Sequence, residues 1–316
     1  MAETVAKYLL LAVFLLGWPI EGPANAREPG TPPNYVVIIG GGKTVEEAER
    51  VFNNLRKNKI ANLTFSEGFP KVISSDSVKG LKPGFVVLIG GFCKHSGKAR
   101  LAREILLSSL EGVYLRKVPP LQPESCPEVS RSAKAPPKGM FVKDRVKLGP
   151  KSTILKWQVF SNMDKDFWNR GGCPVSQLLL RIMASSQVMT EKEFVGDCIK
   201  GAENPPGEEG PEDPGASTQW IYDSFTPAGA QNLLVIAKKS YGGDTGWEEY
   251  YAYGFVDGQI KKVLSIGGFP AFGPNEYKIE ADNKSEKFRA DLLISSGGEA
   301  ERYQWDTKKR QYVLVK

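Results

Sequence analysis

The residues best suited by type to do chemistry stand in two glycine-rich turns and around one histidine. "YVVIIGGGKTVEEAERV" (35–51) runs an apolar strand into three glycines and then into a helix. A dinucleotide fingerprint needs G-x-G-x-x-G/A, whose third small residue lets helix and strand approach. Gly40 and Gly42 fit the first two places, but Val45 fills the third. The next strand, "PKVISS" (70–75), ends without an acid to hold a ribose. "GGFCKHSGKAR" (90–100) comes near a phosphate-binding loop. There, five residues rather than four separate Gly91 from Gly97, and Ala99 stands where Ser or Thr would hold magnesium. No nucleotide and no cofactor is expected. His95 is the only histidine, so every serine or cysteine triad would depend on it, and it reads as a loop residue. Asp164 and Asp166 read as solvated acids, and nothing sets two carboxylates across a cleft. The chain is therefore expected to be no enzyme.

The four cysteines depend on the compartment. Lys7 precedes an apolar run, Tyr8 to Gly17, and Ala24-Asn25-Ala26 supplies a small-x-small cleavage pattern. Residues 1–26 thus read as a secretory signal peptide, and the rest as exported, periplasmic or extracellular. An even cysteine set then reads as disulfides. Three pairings are open, and proximity in sequence favours Cys93 with Cys126 and Cys173 with Cys198. Metal binding is the weaker reading, with no CxxC and one histidine. Removing residues 1–26 takes away Lys7, Glu3 and Glu21 and moves the formal charge from +6 to +7. That mild bias suits an anionic envelope polymer, or simply a basic soluble surface. No nucleic-acid partner is expected.

Positioning elements follow from periodicity. "YVVIIGG" (35–41) returns fifty residues later as "FVVLIGG" (85–91), and each copy leads into a helix. Thr44 and Glu47 fit a capping box for the first helix. Val45, Ala48, Phe52 and Leu55 line one face of that helix; Ala102, Ile105, Leu106 and Leu110 line the second, which Gly112 ends. Strands "PKVISS" and "VYLRKV" (113–118) complete the order β-α-β-β-α-β over 35–118, a ferredoxin-like sandwich. A proline-rich linker follows (119–139), then a mainly antiparallel β domain from 140 to 316. Its acidic Pro/Gly loop, 201–215, cannot bury enough apolar surface to pack. "YAYGFVDGQIKKVLSI" (251–266) reads as a hairpin turning at Asp257-Gly258. Strands are also expected at 231–240, 287–295, 301–306 and 310–316. Residues 177–195 fit a buried helix or a strand pair, with strands preferred. Trp220, Trp247, Tyr250, Tyr251, Tyr253, Tyr303, Trp305 and Tyr312 read as cross-strand pairs and core, with a sugar-stacking surface as the alternative. The fold class is α+β.

The stretches "YVVIIGGGKTVEEAERVFNNLRK", "SSDSVKGLKPGFVVLIGGF" and "KARLAREILLSSLEGVYLRKV" make residues 35–118 resemble the SPOR-like (sporulation-related repeat) domain family. The resemblance implies the same split βαβ sandwich and binding of peptidoglycan in the bacterial periplasm, with a preference for glycan strands stripped of stem peptides. In that fold the glycines only turn the chain. The family often carries glutamine two residues before the strand-end glycine, on the sheet face away from the helices. Here those places hold Ile38 and Leu88, with Val36 and Val86 as expected neighbours on that face. These four form the candidate ligand or docking face. So apolar a face is expected to be covered, by the β domain or by a second copy of the chain. The reading is an exported, non-enzymatic envelope protein that binds peptidoglycan glycan strands or scaffolds at the wall. Its alternatives are a purely structural SPOR-like unit beside a protein- or glycan-binding β domain, and a hydrolase site hidden in the β domain.

Overall fold

Four consecutive β-branched residues, Val36 to Ile39, hold β1 (Asn34–Gly42) extended. The computed structural model describes residues 34–120, 123–135, 138–148, 152, 154–162, 177–196, 217–225, 233–242, 245–270, 277–281, 290–296 and 299–315. The expected signal peptide, the acidic loop 201–215, Cys173, Cys198, Asp164 and Asp166 lie outside the described residues. The glycines after β1 serve close approach: a Cβ on Gly41 would sit 2.3 Å from the Val86 carbonyl oxygen. Thr44 caps α1 (Val45–Lys57), its Oγ1 accepting from the Glu47 amide at 3.3 Å. The Glu47 carboxylate accepts from the Lys43 amide, one residue earlier than a capping box would use.

The chain continues through β2 (Leu63–Thr64), β3 (Lys71–Ser74), β4 (Val86–Cys93), α2 (Ser96–Leu107) and β5 (Tyr114–Val118). One antiparallel sheet has the order β3-β4-β1-β5. β6 (Glu128–Val129) pairs with β2, inside the stretch expected to be a linker. That stretch is pinned rather than loose: Cys126 is bonded to Cys93, Ser132 bridges to Val188, and Arg181 donates to the Ala135 carbonyl.

The second half is three antiparallel meanders. β7 (Phe141–Lys147), β8 (Leu155–Ser161), β9 (Gln177–Ala184) and β10 (Gln187–Val195) form the first sheet. The ambiguous 177–195 run is thus a strand pair, turning through Ser185 at positive φ. β11 (Ser217–Phe225), β12 (Leu234–Gly242), β13 (Thr245–Val256) and β14 (Gln259–Pro270) form the second, with the expected turn at Asp257-Gly258. β15 (Tyr277–Ala281), β16 (Leu292–Ser296), β17 (Glu299–Asp306) and β18 (Gln311–Leu314) form the third. In each sheet the strands lie in chain order. The molecule is mostly antiparallel sheet, and α1 and α2 are its two helices among the described residues.

Alternation along the middle sheet buries both its faces. Leu234, Ile236, Tyr253 and Phe255 meet Trp157, Val159, Leu178 and Leu180 of the first sheet. Leu233, Val235, Ala252 and Val263 meet Leu292, Ile294 and Tyr312 of the third. Leu101 and Ile105 of α2 enter the first of these clusters, so the helix bridges the N-terminal unit and the sheets. Buried Glu104, one residue from Ile105, accepts from the Leu155 amide at 3.1 Å and from Ser152 Oγ at 2.7 Å. The Asp257-Gly258 turn meets the C-terminal end of α2. Gly258 donates to Ser108 Oγ at 2.8 Å, and a Cβ on Gly258 would lie 2.2 Å from the Ala61 oxygen. Arg310, from the β17–β18 turn, donates to the Ser109 carbonyl at 2.6 Å.

Candidate functional site

The expected ligand face can be built residue by residue. On β1, Val36 and Ile38 do point away from the helices, and both are fully buried. Leu88 does not join them. It packs with Val37, Ile39 and Leu106 on the helix side, and alternation puts Val86 on that side too. The residues that share the far face are Val87 and Ile89. The cause is a bulge in β4: Val37 pairs with Gly91 but Ile38 with Ile89, so Gly90 is skipped and Ile89, not Leu88, shares the face of Ile38; a second shift, at Ile39, then pairs Gly40 with Leu88. Matching the two glycine-ended repeats in sequence therefore puts β4 in the wrong phase.

The cover on this face also differs from expectation. Val78, Leu81, Phe69 and Phe85, all from the 69–85 connection, pack over the aliphatic floor. Phe69 meets Phe92 edge to face at 6.2 Å. The β-rich half instead makes its apolar contacts through Leu101 and Ile105 of α2, with Ile60, Leu63 and Val129 beside them. Around the covered floor runs a rim of cations on rings. Lys71 Nζ lies 4.9 Å from the Phe69 centroid, Lys82 Nζ 5.6 Å from Phe85, and the Arg116 guanidinium carbon 5.5 Å from Tyr114. Pairing of Tyr114 with Ile38 and Arg116 with Val36 fixes both side chains on this face. Lys71, Lys82, Tyr114 and Arg116 are all exposed. The sequence reading passed over this rim, although Tyr114 and Arg116 stand at the two-residue spacing that marks one face of a strand.

Cys93 and Cys126 form the disulfide that proximity favoured. Beside it opens a cleft of about 440 Å³, lined by Ser66, Lys98, Leu101, Glu124, Glu128 and Arg131 among others. Its charges balance, and Lys98 pairs with Glu124 at 3.6 Å. His95 is exposed at the N-cap of α2 and makes no side-chain capping bond. No group of three or more His, Cys, Asp or Glu side chains among the described residues is placed to hold a metal ion. No described helix is long and apolar enough to cross a membrane.

The β-half aromatics divide. Tyr253 and Tyr312 are core, Trp220, Tyr250, Tyr251, Tyr303 and Trp305 are half-buried, and Trp247 is exposed. Burial, and then the Glu249 carboxylate that accepts its hydroxyl at 2.8 Å, push the Tyr251 hydroxyl up to about 12. On the first sheet, buried Arg181 donates to Glu191 at 3.1 Å and stacks on Phe160. Burial would raise the Glu191 carboxyl, but bonds from Lys134 and Arg181 outweigh it and hold the group below the usual carboxylate range. Comparison with known proteins finds no matching family model, no matching curated protein and no matching solved structure.

Proposed function

We propose that this is an exported, non-enzymatic protein of the bacterial envelope whose N-terminal unit is a SPOR-like module that binds peptidoglycan glycan strands. The order β3-β4-β1-β5 with two helices packed on one face supports reading that unit as a ferredoxin-like sandwich. The disulfide Cys93–Cys126 suits an oxidising compartment. The observation that carries the ligand is the rim of Lys71, Lys82 and Arg116 over aromatic rings, on the face opposite the helices. A glycan strand stripped of its stem peptides exposes lactyl carboxylates among apolar pyranose faces. Cations complement the first, and ring faces such as Tyr114 the second.

A co-sedimentation assay tests this. The chain without residues 1–26 is mixed with purified peptidoglycan before and after stem-peptide removal. It is expected to pellet more strongly with stripped strands, and the variant Lys71→Glu/Lys82→Glu/Arg116→Glu to lose at least tenfold in affinity. Equal pelleting by the variant, or none by the parent, sinks the reading. A second reading, in which the N-terminal unit serves only as a structural cap on the sheets, draws on the seating of Leu101, Glu104 and Ile105 against the first sheet. Under it, the parent chain stays in the supernatant.

A further inference from the structure

We propose that the open part of the middle sheet is a separate binding surface for a polysaccharide strand bearing carboxylates. The surface lies on the β-rich half and does not depend on the N-terminal reading. Alternation along β13 places Trp247, Glu249, Tyr251, Tyr253 and Phe255 on one face. Phe255 and Tyr253 are buried against the first sheet. Farther along, burial falls off: Tyr251 is half-buried, and Trp247 is 47% exposed. Trp220 of β11 joins this face through the register Trp220–Lys238–Glu249 across three strands. Its ring lies 6.1 Å from Tyr251 and 4.9 Å from Phe194, tilted in both cases. Trp247 and Tyr251 are four residues apart on an extended strand, about 13 Å, which is room for at least two pyranose rings.

The charges on this face select the occupant. Lys262 lies 4.8 Å from the Tyr251 centroid, and Lys192 lies 5.6 Å from Tyr253 and 5.7 Å from Phe194. Neither lysine has an ion pair with a described carboxylate. Lys238 pairs with Glu249 at 3.6 Å, and Tyr251 donates to the same Glu249 oxygen. The face thus offers flat rings for the C–H side of a sugar, a carboxylate acceptor for its hydroxyls, and two unmatched ammonium groups for an acid on the chain. Nucleic acid fits less well. Its closely spaced phosphates would meet Glu249, and it has few hydroxyls to donate to that acceptor. Core packing explains Phe194 and Tyr253, but it does not explain an exposed Trp247 or the placing of Lys262 over the half-buried Tyr251.

The test is affinity electrophoresis of the chain in gels containing polygalacturonate, with its methyl ester as the neutral comparison. The parent is expected to be retarded by the acid form and much less by the ester. Trp220→Ala/Trp247→Ala and, separately, the milder Lys192→Gln/Lys262→Gln are expected to weaken retardation at least tenfold, with thermal melting checked for each. The rim variant Lys71→Glu/Lys82→Glu/Arg116→Glu is expected to leave it unchanged, so failure here and failure of the N-terminal reading are told apart. No retardation of the parent overturns the proposal, as does parent-like retardation of the lysine variant. Stronger binding to single-stranded DNA also overturns it. So does retardation seen only after residues 201–215 are replaced by a short linker, which would assign the face to the chain's own acidic stretch.

Discussion

The two faces of the N-terminal sheet are both apolar and both buried, yet they are closed in different ways. The helix side is closed by α1 and α2, and α2 is closed in turn by Leu155, Trp157 and the sheets beyond. Among the described residues, the far side is closed by Phe69 before β3 and by Val78, Leu81 and Phe85 after it, and the outer surface of this cover carries cations. Depth of cover separates two roles. A side chain held between layers contributes to stability and is out of reach of any ligand. A thin cover with charge on its outside leaves the surface free to be read.

The sharpest way to break the contrast is at α2. Ile105→Ala removes a fully buried side chain from the cluster shared by both halves, and a loss of about 2–5 kcal/mol is expected in denaturant unfolding. One cooperative transition is expected to persist, since no boundary separates the halves there. Two separated transitions would show that the shared cluster does not couple them. Gly258→Ala comes next. It sets a Cβ against the Ala61 oxygen at a φ of +74°, and a loss of more than about 1 kcal/mol is expected from thermal melting. The smallest effect belongs to the far side. Reversing Lys71, Lys82 and Arg116 is expected to change stability by no more than about 0.5 kcal/mol per site, because each is exposed. A large loss there would show that the rim holds the 69–85 cover in place, and the two faces would no longer differ in kind.

Much of this was legible in sequence, and the rest was hidden for physical reasons. Strand pairs such as 251–266 announce themselves through alternation and an Asp-Gly turn, which are local signals. Cys93 and Cys126 were found by nearness alone. The phase of β4 was not legible, because an unpaired Gly90 in β4, followed by an unpaired Ile39 in β1, changes which side chains share a face and leaves no mark in composition. The cover by Phe69, Val78, Leu81 and Phe85 depends on how a connection folds back, which periodicity does not encode. The docking of α2 did leave a signal that went unread. Its buried residues, Ala99, Leu101, Ala102, Ile105 and Leu106, span too wide an arc for one partner, whereas α1 buries only Ala48 and Leu55. An apolar arc that wide calls for a second partner. The β-half aromatics share this split: Tyr253 and Tyr312 are buried as alternation on strands implies, whereas the exposure of Trp247 has no local mark in the sequence.

Chain-order strands also set how the molecule comes together. Most ladders of the three meanders join strands linked by short turns, so little loop entropy is lost before the first contacts form. The N-terminal sheet must instead bring Asn34 to Val118, and the turn at Gly258 must find Ser108. The meanders can thus zip up locally, each against its neighbour. The N-terminal unit, although synthesised first, has its α2 contacts completed only after the last two sheets have left the ribosome.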